Sequence, residues 1–229
     1  ASPHFSPSLS AQQEEIRNPD YILKNSAGHG ISPQAPRISL LPPSHYAWRL
    51  CFVRNGERFI LSLALFDLDN TLLGGDSDYL WGRFLVEQGI VDGVDYEREN
   101  LRFYKEYVAG TLDIHEFLRF QLRPLAQHDI ETLHRWREQY LARMIDPIIL
   151  PAARTLLAEH RRKGDTLVII TATNRFITGP IAERLGVPHL LATEPEMENG
   201  RYTGRVTGTP CFREGKVVQL RHWLERQGE

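Results

Sequence analysis

The feature that most constrains this chain is an apolar run, residues 61–66 (LSLALF), that ends directly on Asp67, Leu68, Asp69, Asn70 and Thr71. So little polar alternation is what a parallel strand covered on both faces requires, whereas a strand with one wet face alternates. In open α/β sheets ligands bind beyond the carboxyl ends of such strands, which is where Asp67 and Asp69 stand. A period of two turns both carboxylates to one side, and two such close anions are costly unless a cation or a shared proton relieves them. A Mg2+ ion answers that need. The competing reading is a turn in which Asp and Asn accept local backbone hydrogen bonds.

The rest of the chain supplies the partners of such a strand. Residues 1–45 hold seven of the fourteen prolines and no apolar period, and read as a flexible Pro/Ser-rich tail. Residues 46–54 (YAWRLCFVR), Asn55-Gly56 and the run that follows read as a β-hairpin. From 76 to 145 the pattern is helical, and about four helices are expected. Within it, Asp113 followed by Glu116 has the capping-box spacing, and Gly110 and Pro124 punctuate the run.

Pro151 opens a helix that Gly164 ends, and a second buried strand, 166–170, follows. Residues 175–185 read as a helix stopped by Gly186, although Gly179-Pro180 is a candidate kink. Residues 189–192 read as a third strand, and Asn199-Gly200 as a hairpin joining 194–197 to 202–206. A last helix spans 215–226. This order predicts an α/β fold: a Rossmann-like parallel sheet wrapped by helices, with the helical block inserted as a cap. The domain reading is a core of 46–75 and 146–229 with a cap of 76–145.

Composition closes off several function classes. Lysine plus arginine number 27 against 29 acidic residues, a net charge of −2 that offers no broad basic surface for nucleic acid. No apolar run approaches the length of a membrane span. The two cysteines, Cys51 and Cys211, have no CxxC spacing, and the nine histidines show no HExxH pattern, so neither a disulfide framework nor a zinc site is expected. No targeting signal is read at the amino terminus, and a reducing, cytoplasmic location is the expectation. Oligomeric state is not legible.

The segments FDLDNTLL, GGDSDYLW, LVIITATN and GRYTGRVTGTPCFREGK occur in the order that characterises the haloacid dehalogenase-like superfamily, and residues 62–226 resemble it. Most members are Mg2+-dependent phosphohydrolases. The chain is most similar to the subfamily with a helical cap after the first motif, which includes phosphoserine phosphatases and a group of histidinol-phosphate phosphatases. The resemblance implies that Asp67 is the nucleophile, forming an aspartyl phosphate. Asp69 is then the acid that protonates the leaving alkoxide and afterwards the base on water. Asp67 and the main-chain carbonyl of Asp69 would ligate Mg2+. Thr171, Lys216, Leu68 and Asp69 would bind the phosphate, and Asn174, Asp76 and Asp78 are candidates for substrate contact.

Lys216 also makes sense on its own chemistry, because a phosphoryl transition state spreads charge that a fixed ammonium and hydroxyl donors stabilise. The alternatives are a solvated lysine at a helix start, a Thr171 hydroxyl tied to the backbone, an Asn174 that caps the next helix, and Asp76 and Asp78 favoured by a helix dipole. Tyr79, Trp81, Phe84, Tyr104 and Tyr107 read as cap packing.

The pattern departs from the superfamily in one place. The acidic cluster expected beyond the helix at 215–226 has no counterpart before Glu229, so the reading is a core lacking its C-terminal strands and one metal ligand, from a truncated or altered reading frame. The strand at 61–66 would then be an exposed edge, and residues 46–54 are expected to pair antiparallel along it.

The implied function is hydrolysis of a small phosphorylated metabolite, histidinol phosphate ahead of phosphoserine. The other readings are a catalytically impaired phosphate-binding or interaction module and a phosphotransferase.

Overall fold

The apolar run of residues 61–66 lies inside strand β3 (Glu57–Phe66), the centre of the computed structural model, which describes residues 39–44, 47–54 and 57–227, with side chains from 62 onward, Val108 apart. The sheet continues with β1 (Ser39–Ser44), β2 (Ala47–Arg54), β4 (Thr166–Asn174), β5 (His189–Glu198) and β6 (Arg201–Thr207), in the order β1-β2-β3-β4-β5-β6. Strands β3, β4 and β5 run parallel, and the other neighbours are antiparallel. Leu63 packs with Val168, Leu191, Trp223 and Leu224 on one face, while Ala64 and Phe66 join the larger cluster on the other, so β3 is buried on both sides.

Strand β2 pairs along β3 from Ala47 opposite Ala64 to Arg54 opposite Glu57, as expected for a covered edge. The Asn55-Gly56 turn itself lies outside the described residues. Residues 39–44 correct the tail expectation: they form β1, paired with β2 and broken in register between Leu41 and Ser44. Pro42 and Pro43 fall at that irregularity, where an outer strand tolerates residues without a backbone donor. The remainder of the predicted tail, residues 1–38 and 45, lies outside the described residues.

The helical block that follows β3 holds four α-helices: α1 (Ser77–Glu87), α2 (Gly93–Val108), α3 (Ile114–Gln127) and α4 (Ile130–Tyr140). Each begins on an aspartate, Asp76, Asp92, Asp113 and Asp129, whose side chain accepts from a first-turn backbone N–H. Each such cap stabilises a helix by about 1 kcal/mol. Pro124 lies within α3 rather than ending it. The backbone bond it forgoes is outweighed by the burial of Leu122 and Leu125 beside it.

The two chain connections to this helical block are tied together. Gly74 N–H donates to Ile148 O at 2.8 Å, Leu150 N–H to Leu72 O at 3.1 Å, and the Tyr140 hydroxyl to Ser77 O at 2.6 Å. Trp81 sits between Tyr140 and Phe176, with ring centroids 5.2 and 5.7 Å away. Tyr79 and Tyr104 depart from the packing expectation, being 49% and 40% exposed.

After the block come α5 (Pro151–Arg162), α6 (Arg175–Leu185) and α7 (Glu214–Gln227). Helix α6 runs on through Gly179-Pro180 to a left-handed Gly186, and β5 is one strand where two short ones were expected. Strand β4 likewise extends beyond Ile170 to Asn174, which places Thr171 within it. Beneath the sheet, the Asp165 carboxylate accepts from the Ser62 hydroxyl and meets buried His160 Nδ1 at 2.7 Å, joining β3, α5 and the start of β4. Among the described residues no helix is long and apolar enough to cross a membrane.

Candidate active site

The register of β3 and β4 builds the site. Leu63 pairs with Thr166 and Phe66 with Ile169, so the residues that follow, Asp67–Asp69, come alongside the stretch that carries Thr171. The chain then turns sharply: the Leu68 carbonyl accepts from the N–H groups of Thr71, Leu72 and Leu73, and Asn70 takes a left-handed φ of 55°. The Leu68 side chain is fully buried, which anchors the backbone between the two aspartates.

Lys216 reaches this turn from the other end of the sequence. Its Nζ donates to Asp67 Oδ1 at 3.1 Å across 149 residues, and its side chain is only 13% exposed. The loop that delivers it is tight: Gly215 N–H donates to Phe212 O and Lys216 N–H to Arg213 O, at 2.9 and 3.0 Å. Only glycine fits at 215, since a Cβ there would lie 1.9 Å from Pro210 O.

Both oxygens of Asp69 are held. Oδ1 accepts from Ser77 N–H at 2.7 Å, at the start of α1, and Oδ2 accepts from the Thr173 hydroxyl at 2.9 Å. The Thr171 hydroxyl lies further off, 3.5 Å from Oδ2, and its oxygen accepts from Thr173 N–H at 3.2 Å. Burial, then the nearby Asp76 carboxylate, raise the Asp69 pKa from 3.8 to about 7 against the donors from Ser77, with Asp67 adding to the rise. A carboxyl with a pKa of about 7 can both give and take a proton near neutral pH.

Asp67, Asp69, Thr171 and Lys216 therefore converge. Asp76 and Asp78 stand with them, near enough for their charges to act on Asp69 and on each other. Asp76 caps α1 through Tyr79 N–H at 2.9 Å, and burial raises its pKa. The Asp78 carboxylate meets no cation and no hydrogen-bond donor among the described residues, and burial followed by Asp76 and Asp69 pushes its pKa well up. Asn174 is buried and caps α6, accepting from Ile177 N–H at 3.3 Å, so its side-chain oxygen is engaged by the helix.

Thr173 is the site residue that motif reading passed over. Its signal was present: Thr171 and Thr173 are two apart on a strand, the same spacing that joins Asp67 to Asp69.

Lys216 pairs with one of the four aspartates gathered here, which together form an excess of negative charge that would repel a phosphate unless protons or a cation offset it. No cluster of three or more His, Cys, Asp or Glu side chains gathers around a metal-sized gap among the described residues. Mg2+ needs no such cage, since it keeps several waters and takes one or two carboxylates together with substrate phosphate. The Asp67 carboxylate, 31% exposed, and the Asp69 main-chain carbonyl fit that requirement.

Residues 64–229 match the family model for haloacid dehalogenase-like hydrolases. The chain belongs to that family. A histidinol-phosphatase of Neisseria meningitidis serogroup C is 41% identical over 169 residues, covering 73% of this chain and 76% of the relative. A phosphoserine phosphatase of Mycobacterium tuberculosis is 27% identical over 172 residues, covering 74% of this chain and 56% of the relative. The chain thus spans little more than half the length of that mycobacterial relative. Among solved structures, a Bordetella pertussis Tohama I protein of unknown function is 44% identical, with a TM-score of 0.69 over 72% of this chain and 75% of that one. A substrate-bound phosphoserine phosphatase complex, 21% identical with a TM-score of 0.51 over 72% and 70% of the two chains, shares the fold of this hydrolase.

Proposed function

We propose that this hydrolase cleaves a small phosphomonoester by passing its phosphoryl group through Asp67, with histidinol phosphate favoured over phosphoserine. The observation that carries the reading is the meeting of Lys216 with Asp67 beside an Asp69 whose carboxyl is gripped on both oxygens. Lys216 occupies Asp67 Oδ1, which leaves Oδ2 to attack phosphorus. As the new O–P bond forms, the ester P–O bond breaks and Asp69 gives its proton to the departing alkoxide. Water then attacks the aspartyl phosphate, its proton passes to Asp69, and inorganic phosphate leaves with Asp67 restored. Lys216 and the Thr171 hydroxyl stabilise the charge on the transferring oxygens.

Hydrolases of this family generally use Mg2+. Here the Asp67 carboxylate and the Asp69 main-chain carbonyl would hold it, and when bound it supplies the positive charge that offsets phosphate against the four acids. In this reading residues 76–145 form a cap over the core, and Asp76 and Asp78 receive a cationic group of the substrate. That arrangement favours histidinol phosphate, which carries an amine and an imidazole. The carboxylate of phosphoserine would be repelled by the same two acids. The Neisseria relative named a histidinol-phosphatase supports the same choice.

Release of inorganic phosphate from histidinol phosphate, phosphoserine and sugar phosphates tests this, with Mg2+ and with a chelator. Mg2+-dependent turnover that is fastest on histidinol phosphate and abolished by Asp67→Asn is the expected result. Turnover unaffected by Asp67→Asn, or phosphate binding with no release on any ester, refutes the proposal.

A further inference from the structure

The hydroxyls of Thr171 and Thr173 stand beside one carboxylate oxygen but are not equivalent. Thr173 donates to Asp69 Oδ2 at 2.9 Å, while Thr171 lies 3.5 Å from the same atom. A hydroxyl has one proton to donate and two lone pairs to accept with. The Thr171 oxygen already accepts from Thr173 N–H at 3.2 Å, which fixes its orientation without using its proton. Both residues are buried, 1% and 8% exposed, so little bulk water reaches these positions. Asp69 thus has a near donor in Thr173 and a second, more weakly held donor in Thr171 at the limit of hydrogen-bond distance, which a phosphate oxygen can compete for.

We infer that Thr173 is a positioning residue: it holds Asp69 in line with the leaving group and, by satisfying Oδ2, keeps the Thr171 proton available to phosphate. This inference rests on the phosphatase reading above. Without the Thr173 hydroxyl, Oδ2 is left a buried acceptor and Thr171 is the hydroxyl within reach to answer it. One substitution then disturbs two functions, the aim of the acid and the donor to phosphate. An acid must lie within hydrogen-bond reach of the atom it protonates, and a displacement of about 1 Å costs about a hundredfold in rate.

The test compares Thr173→Val, which keeps the shape and loses the hydroxyl, with Thr173→Ser, which keeps the hydroxyl. Turnover is measured on an alkyl phosphate and on p-nitrophenyl phosphate, and inorganic phosphate binding by calorimetry. The p-nitrophenolate ion leaves without needing a proton, so its release reports everything except the acid step. Thr173→Val is expected to slow the alkyl ester about ten- to a hundredfold. It should slow p-nitrophenyl phosphate less than about threefold and weaken phosphate binding about three- to tenfold, while Thr173→Ser recovers both. Equal losses on the two esters, wild-type behaviour of the valine variant, or no recovery by serine overturns the inference. Should valine at this position prevent folding, Thr173→Ala carries the same comparison. A wild-type chain that turns over no ester refutes the phosphatase reading separately, and the phosphate-binding comparison still decides the role of Thr173. A wild-type chain that neither turns over nor binds phosphate overturns both.

Discussion

Gly215→Ala tests whether Lys216 owes its place to one close backbone approach. The added Cβ would lie 1.9 Å from Pro210 O, 3.1 Å from Pro210 C and 3.3 Å from Thr209 Cγ2, where ordinary contact begins at 3.4 Å. Pro210 O cannot turn aside freely, because it accepts from Phe212 N–H at 2.8 Å. The loop must therefore give by about 1.5 Å, the difference between 3.4 and 1.9 Å. A shift of that size at the neighbouring residue breaks the 3.1 Å contact between Lys216 Nζ and Asp67 Oδ1. Phosphate release should fall by about a hundredfold, the usual consequence of misplacing a catalytic group by about 1 Å. Overpacking of this kind costs about 1–3 kcal/mol of stability, and each kcal/mol lowers Tm by about 2–4 °C in a chain of this size. The control is Gly179→Ala in α6, where the nearest atom to an added Cβ is Arg175 Cγ at 3.8 Å. That variant should retain the wild-type rate and gain up to about 1 kcal/mol from helix propensity. Steady-state kinetics and thermal unfolding of the two variants decide the matter, and a Gly215→Ala chain with wild-type rate and Tm refutes the argument.

Asp69 makes a prediction in pH. Its pKa, raised by burial and then by Asp76 to about 7, lies above that of the unfolded chain, so the folded protein retains a proton that the unfolded chain releases above pH 3.8. Its contribution to stability is complete below that value and is lost as pH rises to about 7, and kcat on an alkyl ester should fall above pH 7 as the acid form disappears. Urea midpoints of wild type and Asp69→Asn between pH 4.5 and 8 should differ in slope, and parallel curves contradict the assignment. Asp78→Asn removes a partly buried carboxyl that no donor answers among the described residues, so it should raise stability at pH 8 by about 1–3 kcal/mol and change it little at pH 4. Thermal scans at the two pH values measure this, and an equal gain at both counts against it. Asp165→Ala leaves buried His160 without its carboxylate and the Ser62 hydroxyl without its acceptor, at an expected cost of about 3–5 kcal/mol in denaturant unfolding. A cost under about 1 kcal/mol would show that the three residues do not act together.

Much of the framework was legible residue by residue. The run into Asp67 is so continuously apolar that only a strand with two covered faces can hold it, and Leu63 and Phe66 do enter opposite clusters. Pro151 and Gly186 marked helix ends because their backbone preferences act locally, whatever packs around them. Pro124 misled for the converse reason: its local penalty is real, but burial of its neighbours outweighs it. Asn174 and Asp76 are open in the sequence to both a capping and a substrate role, and in the fold each accepts a first-turn N–H. The two-residue spacing of Thr173 from Thr171 is visible in the sequence, but spacing alone does not say which carboxylate lies across from a strand threonine.

The amino-acid order on its own determined the central strand, the two aspartates at its end and the helical block that follows, since periodicity and backbone preference act over a few residues. It also carried the segments by which residues 64–229 match their family. Only the tertiary structure decided that Lys216 reaches Asp67 across 149 residues, that Thr173 stands nearer than Thr171 to Asp69, and that burial raises the Asp69 pKa to about 7. Those outcomes depend on strand register, the fit of one loop and exclusion of water, and none of these is written in the spacing of neighbouring residues.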